Sequence, residues 1–266
     1  MTEPVDEPAG EVAAPRLEHV QSLARGLAVI KAFNVDRPAQ TLSDVARATG
    51  LTRAAARRFL LTLAELGYVR TDGRLFTLTP RVLELGYSYL SALSLPEVAE
   101  PHLEELVQVV HESASLAVLD GSDVVYVARV ATSRIMTVSI TIGTRFPAYA
   151  TALGRVLLAA LPPAELARRL GDPRPLTDRT VAEPGALRDL LGDVRAAGYC
   201  IVDQELEEGL RSVAVPIRDA TGRVVAAANV STHTSRGTPL WLRDEALPHL
   251  RHCAAAIQAD LKGARP

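Results

Sequence analysis

Apolar residues recur at helical spacing through the first quarter of the chain and in alternation through much of the remainder. Leu23, Leu27, Ile30 and Phe33 form one stripe, which predicts a helix capped by Ser22 and ended by Asn34-Val-Asp-Arg-Pro38. Thr41-Leu-Ser-Asp44 opens a second helix, with Ser43 or Thr41 as cap, Leu42, Val45 and Ala46 inward, and Gly50 as the stop. After a very short turn, Thr52 caps a third helix. Ala56, Phe59, Leu60, Leu63 and Leu66 make its apolar face, with Arg53, Ala54, Arg57, Arg58 and Leu61 opposite. Gly67 ends that helix. Tyr68–Thr71, Asp72-Gly73 and Arg74–Leu78 then read as a hairpin with a tight turn.

Farther along, residues 81–93 read as one connecting helix. Residues 97–112 read as another, with Val98, Leu103, Leu106, Val109 and Val110 on one side. Ser115–Leu119, Asp120-Gly121 and Val124–Val130 predict a second hairpin, and Ile135–Ile140 alternates as a further strand. Helices are expected over 150–161, 163–170 and 184–198, strands over 199–202, 212–217 and 224–232, and a closing helix over 242–261. Hairpins flanked by helices imply an antiparallel α+β domain. The organisation expected is a disordered tail over 1–15, which holds three prolines and four acids, then a small domain over 16–80, a linker helix over 81–94 and a larger domain over 95–262.

Charge sharpens this division. Residues 16–94 carry 11 Lys+Arg against 6 Asp+Glu, whereas residues 95–266 carry 18 against 21, so a polyanion would meet the small domain only. Helix, glycine turn, helix and hairpin is the order of a winged helix-turn-helix. Its third helix would enter the major groove of double-stranded DNA, which places Thr52, Arg53, Ala54, Arg57 and Arg58 at the contact. Arg70 and Arg74 on the hairpin would reach the neighbouring backbone or the minor groove, and Arg25 on the first helix is a further phosphate contact. The helix starts at Ser43 and Thr52 offer N–H groups to phosphates.

Composition excludes several alternatives. Aromatics are 4% of the chain, too few for stacking platforms along single-stranded nucleic acid. No apolar run reaches the ~20 residues of a membrane span. The acidic N-terminus predicts no secretory leader, and two cysteines predict no disulfide scaffold, so a cytoplasmic protein is expected. Nothing matches G-x-S-x-G, a phosphate loop or G-x-G-x-x-G, and His249 and His252 read as a pair on a helix surface. The reading is therefore no enzyme, no cofactor and no metal.

Several segments resemble IclR-type transcriptional regulators. They are Ser22–Ile30, Leu42–Ala46, Gly50–Thr52, Leu66–Val69 and Leu78–Gly86 in the first half, and Gly143–Arg155, Asp203–Pro216 and Ala228–Ser231 in the second. Arg134-Ile-Met-Thr137 and Thr144–Tyr149 are most similar to the branch of that family that controls protocatechuate and 4-hydroxybenzoate catabolism through β-ketoadipate. The resemblance implies a GAF-like C-terminal sensor domain with a small-molecule pocket at one end of its sheet.

A carboxylate in a partly dry site needs N–H groups, hydroxyls and an arginine. The candidates are Arg134, Met136, Arg145, Tyr149, Thr151, Ala152, Ser212, Asn229 and Ser231; the resemblance implies pocket positions on the loop Gly143–Gly154 and at Ser212, Asn229 and Ser231, and Arg134 reads either as the counter-ion or as part of a surface salt bridge. Asn229 and Ser231 can instead be read as the solvent face of an amphipathic strand. The expected protein is a homodimer or tetramer that binds a palindromic operator, associates through helices 23–33 and 81–93, and senses a small organic acid such as β-ketoadipate or protocatechuate. The alternatives are a regulator of another catabolic operon with an unrelated acid ligand, or an enzyme fused to a DNA-binding domain.

Overall fold

The computed structural model describes residues 20–85, 94–132 and 140–263. The chain divides into two compact units, Met1–Ser88 and Tyr89–Pro266. That division falls inside the segment read as a linker helix, most of which (86–93) lies outside the described residues, as do the tail 1–15 and most of the strand expected over 135–140.

In the first unit α1 spans Gln21–Lys31, α2 Leu42–Thr49 and α3 Arg53–Glu65. Helix α2 is fixed at both ends. Thr41 and Asp44 form a capping box at its start, and Gly50 takes φ +65° at its end while the Leu51 N–H reaches back to the Ala46 carbonyl. Thr52, two residues on, caps α3 by accepting from the Ala55 N–H. These two caps make the turn between the helices short and definite.

A three-stranded antiparallel sheet follows, ordered β1–β3–β2 (Ala39–Thr41, Leu75–Leu78 and Val69–Thr71). Asp72 Oδ1 accepts from the N–H groups of Arg74 and Leu75 to close the β2–β3 turn, and Gly73 takes φ +96° there. Strand β1 was not anticipated. Val29, Phe33, Val45, Leu60, Leu63, Val69 and Phe76 form the small core.

Three expectations, two about faces and one about a cap, are corrected here. Leu23 and Leu27 are 64% and 47% exposed, because α1 packs through the neighbouring ridge of Gly26, Val29 and Phe33. Ser22 does not cap α1; Val20 occupies that position without a side-chain bond. Leu66 follows the last turn of α3 and is half exposed, so the core face stops at Leu63.

The second unit is a six-stranded antiparallel sheet ordered β6–β5–β4–β9–β8–β7. The strands are β4 Ser113–Asp120, β5 Asp123–Val130, β6 Arg145–Pro147, β7 Cys200–Asp203, β8 Leu210–Arg218 and β9 Val224–His233. Helices cover both faces. Helices α4 (Ser94–Val110) and α8 (Leu247–Gly263) pack on one, against Leu116, Val213, Val215, Ile217, Ala228 and Val230. Helices α5 (Ala152–Ala159), α6 (Pro163–Arg169) and α7 (Pro184–Ala197) serve the other, where Ala117, Val124, Tyr126, Ala214 and Ala227 point. Alternation along β8 and β9 produces this split, and each fully buried Leu or Ile in these layers contributes about 1.5–3 kcal/mol. Val109 was expected inward but is 55% exposed; Leu103, Leu106 and Val110 carry the packing of α4.

Candidate functional site

Two places in the chain gather the expected residues. The first is the outer side of α3. Arg53, Ala54, Arg57 and Arg58 are all exposed there, opposite buried Ala56, Leu60 and Leu63. Among the described residues no carboxylate forms a salt bridge with Arg53, Arg57 or Arg58, and those residues leave the charge of this face unbalanced. Thr52 is exposed at the helix start, and Ser43 is half-buried in the first turn of α2. On the hairpin, Arg70 and Arg74 are exposed, and Arg70 Nε donates to Thr77 Oγ1 at 3.0 Å. Arg25 is exposed on α1.

The second place is a cavity between the sheet and the start of α5. Thr151, Ala152, Leu153, Ser212, Asn229 and Ser231 line it, with Tyr126, Ile140, Val202, Leu206 and Leu210 completing an apolar wall. Thr151 caps α5, its Oγ1 accepting the Gly154 N–H at 2.9 Å, so the cavity lies at the positive end of a helix. Gly154 is required for this approach: a Cβ there would overlap the backbone of Ala148.

The sheet side of the cavity is polar. Asn229 is 2% exposed, and its Nδ2 donates to Ser212 Oγ and to Ser231 Oγ, both at 2.8 Å. Ser212 Oγ in turn donates to the Val230 carbonyl at 3.2 Å. Asn229 Oδ1 is buried without a partner among the described residues. Such an atom costs about 1–3 kcal/mol when left unsatisfied. Asn229 and Ser231 are therefore interior, not the solvent face that an amphipathic strand would have given them. Burial pushes the Tyr126 hydroxyl up to about 12, so it stays protonated beside the cavity. The cavity itself is small, about 20 Å³, close to what one ordered water needs.

Two candidates are not brought to it. Arg145 stands at the sheet edge and binds Asp120 at 2.6 Å and Asp123 at 3.2 Å. The Tyr149 ring is buried, but its hydroxyl donates to the Arg174 carbonyl and accepts the Arg174 N–H. Arg134 and Met136 lie outside the described residues.

Sequence reasoning missed the buried pair that braces the cavity. Arg155, 1% exposed on α5, meets Glu205 with Nη1 at 2.6 Å and Nη2 at 2.5 Å, while its Nε donates to the Tyr149 carbonyl. Glu205 Oε2 also accepts the Val181 N–H at 2.8 Å. Glu205 precedes Leu206 of the cavity wall by one residue. The available signal was an arginine in an otherwise wholly apolar helix, Ala152–Ala159.

Comparison with known proteins matches residues 22–73 to the IclR helix-turn-helix domain and residues 87–259 to the bacterial transcriptional regulator IclR C-terminal domain. The chain is 47% identical over 236 residues to the Pca regulon regulatory protein of Pseudomonas putida, covering 88% of this chain and 81% of that one. It is 61% identical to a crystal structure of a transcriptional regulator from Rhodococcus sp. RHA1, with a TM-score of 0.83 over 91% of this chain and 98% of that one. An IclR homolog from Microbacterium hydrocarbonoxydans, crystallised with 4-hydroxybenzoate, is 31% identical, with a TM-score of 0.82 over 91% of this chain and all (100%) of that one.

Proposed function

Because the chain belongs to the IclR family of bacterial transcriptional regulators, we propose that it controls genes of aromatic-acid catabolism and responds to a small aromatic or related carboxylate. The observation that carries this reading is the coexistence of an unneutralised basic face on α3 with a buried polar cluster, Ser212–Asn229–Ser231, that faces a cavity at the start of α5. The first is built for a polyanion, the second for a small polar molecule. The relatives point the same way: one regulates a Pca regulon, and another was crystallised with 4-hydroxybenzoate. No helix among the described residues is long and apolar enough to cross a membrane.

In this reading α3 enters the major groove, with Thr52, Arg53, Ala54, Arg57 and Arg58 nearest the bases and Arg25, Ser43, Arg70 and Arg74 along the phosphates. Two copies bind the halves of a palindrome. Effector in the second unit shifts the spacing of the two halves by favouring one arrangement of the oligomer over another.

A mobility shift on the DNA upstream of this gene and its divergent neighbour tests the whole reading, run with and without protocatechuate, 4-hydroxybenzoate and β-ketoadipate. A specific shift that one compound alters is expected. A shift indifferent to all three removes the pathway assignment, and no shift removes the operator.

Two variants separate the halves. Arg57→Ala should weaken operator binding by roughly 5- to 150-fold, the loss of about 1–3 kcal/mol from a base or phosphate contact, while effector binding stays as in the wild type. Unchanged operator affinity would remove Arg57 from the interface. Ser212→Leu should fill the cavity and abolish the effector response with operator binding intact; a normal response would place the effector elsewhere.

A further inference from the structure

One large side chain on α3 serves neither the fold nor the contacts assigned above. Helical spacing puts Ala54, Arg58, Leu61 and Glu65 on one line, at i, i+4, i+7 and i+11. All four are exposed. The line runs opposite the buried Ala56, Leu60 and Leu63, so it is the outermost ridge of the helix. Arg53 and Arg57 flank it on one side and Thr62 on the other, all three exposed. Leu61 is 42% exposed and takes no part in the small core. Leu66 is half exposed too, but it follows the helix and lies off this ridge.

A leucine in that place has a narrow chemistry. Its neighbours one turn back are Arg57 and Arg58, whose charge draws a polyanion onto this side of the helix. Of the groups that base pairs present in the major groove, the C5-methyl of thymine is the apolar one. Leu61 has no donor or acceptor. Pressed against a polar base edge, it would strip water from that edge and return no hydrogen bond. Against a thymine methyl, two apolar groups leave water together and no polar group is stranded. Glu65, next along the ridge, repels phosphate, so the stretch that faces DNA ends at Leu61.

We propose that Leu61 is a specificity-determining residue of α3: its side chain packs on the C5-methyl of a thymine, and each operator half-site carries a T·A pair one or two base pairs from the pair that Arg58 meets. The spacing follows from the helix. Side chains three residues apart on one face stand about 5–6 Å apart, and base pairs rise by about 3.4 Å. This rests on the reading of α3 as the helix that enters the major groove, and it adds a base that the helix selects.

The test is uracil interference on the DNA upstream of this gene, with the full-length protein. The fragment is amplified so that an occasional thymine is replaced by uracil, which lacks only the methyl group. Bound and free DNA are separated on a gel, and cleavage at uracil shows where a missing methyl keeps DNA out of the complex. The wild type is expected to show interfering thymines in both half-sites. In Leu61→Ala one of them in each half-site falls silent while the rest of the pattern persists; in Leu61→Met, which keeps an apolar tip, it stays. A fragment with uracil at that position should bind the wild type roughly three- to fivefold more weakly per half-site, the scale of one methyl group leaving water. Leu61→Ala should bind the uracil and thymine fragments alike. The salt dependence of its affinity should match that of the wild type, since no phosphate contact is lost. Alanine is the better helix former and the site is outside the core, so the variant folds, which circular dichroism checks. An interference pattern shared by wild type and Leu61→Ala overturns the proposal, as does a wild type indifferent to uracil at every thymine. Even weakening at all positions with a changed sedimentation coefficient overturns it too, and assigns Leu61 to a contact between copies. A wild type that shifts no fragment removes the DNA reading, and this inference with it; a wild type that shifts DNA with an unaltered pattern in the variant sinks the inference alone.

Discussion

Glu205→Ala is expected to destabilise the second unit by about 3–5 kcal/mol, the cost of leaving one member of a buried ion pair uncompensated. For a unit of this size that corresponds to a melting temperature lower by roughly 10 °C or more. The Arg155 guanidinium is 1% exposed and spends two of its nitrogens on the Glu205 carboxylate; its bond to the Tyr149 carbonyl would remain, with no carboxylate opposite it among the described residues. The Val181 N–H would lose its acceptor at the same time. Removing both charges should behave differently. Arg155→Met combined with Glu205→Leu leaves no stranded ion, so most of the loss should return. Differential scanning calorimetry of the two variants decides this. A single-variant loss under about 1 kcal/mol would show that water reaches Arg155 readily once Glu205 is gone.

Gly154→Ala is the second large effect, and its sign opposes helix propensity. Inside a helix, glycine to alanine ordinarily gains about 1 kcal/mol. Here the added methyl would overlap the Ala148 backbone, which no rotamer change can relieve. A loss at or beyond the upper end of the 1–3 kcal/mol typical of overpacking, about 3 kcal/mol, is expected. The effect should extend to ligand binding, because Thr151 and Ala152 line the cavity and Thr151 holds the Gly154 N–H. Thermal unfolding together with 4-hydroxybenzoate titration measures both. A melting temperature equal to or above that of the wild type would mean that α5 can slide away from Ala148 at little cost.

Much of the architecture was legible because punctuation and periodicity agree locally. Thr41, Gly50 and Thr52 mark the ends of α2 and α3, and Asp72-Gly73 and Asp120-Gly121 mark two hairpin turns. Ser212, Asn229 and Ser231 were marked by the IclR resemblance, and their interruption of otherwise apolar strands agreed with it. The IclR resemblance added what the local pattern lacks, the likeness of both halves to one kind of regulator. What stayed hidden depends on partners distant in sequence. Arg155 and Glu205 are 50 residues apart, and Tyr149 is held by the backbone of Arg174, 25 residues on. Simple alternation would put Arg129 on the same face as Val127, but the irregularity opposite Leu116 and Ala117 resets β5 and puts it on the face of Tyr126. A strand of three residues such as β1 has too little alternation to be seen at all.

The small volume behind Thr151 also bears on how sensitivity evolves. If the effector enters here, the walls must part, since a ring-sized molecule exceeds about 20 Å³, and binding then selects a more open form. Apparent affinity is then the intrinsic affinity scaled by the population of that conformer; at about 1% open, the discount is roughly a hundredfold. Substitutions that loosen or tighten the packing around α5 can therefore reset the concentration at which genes respond, without touching any atom that recognises the effector.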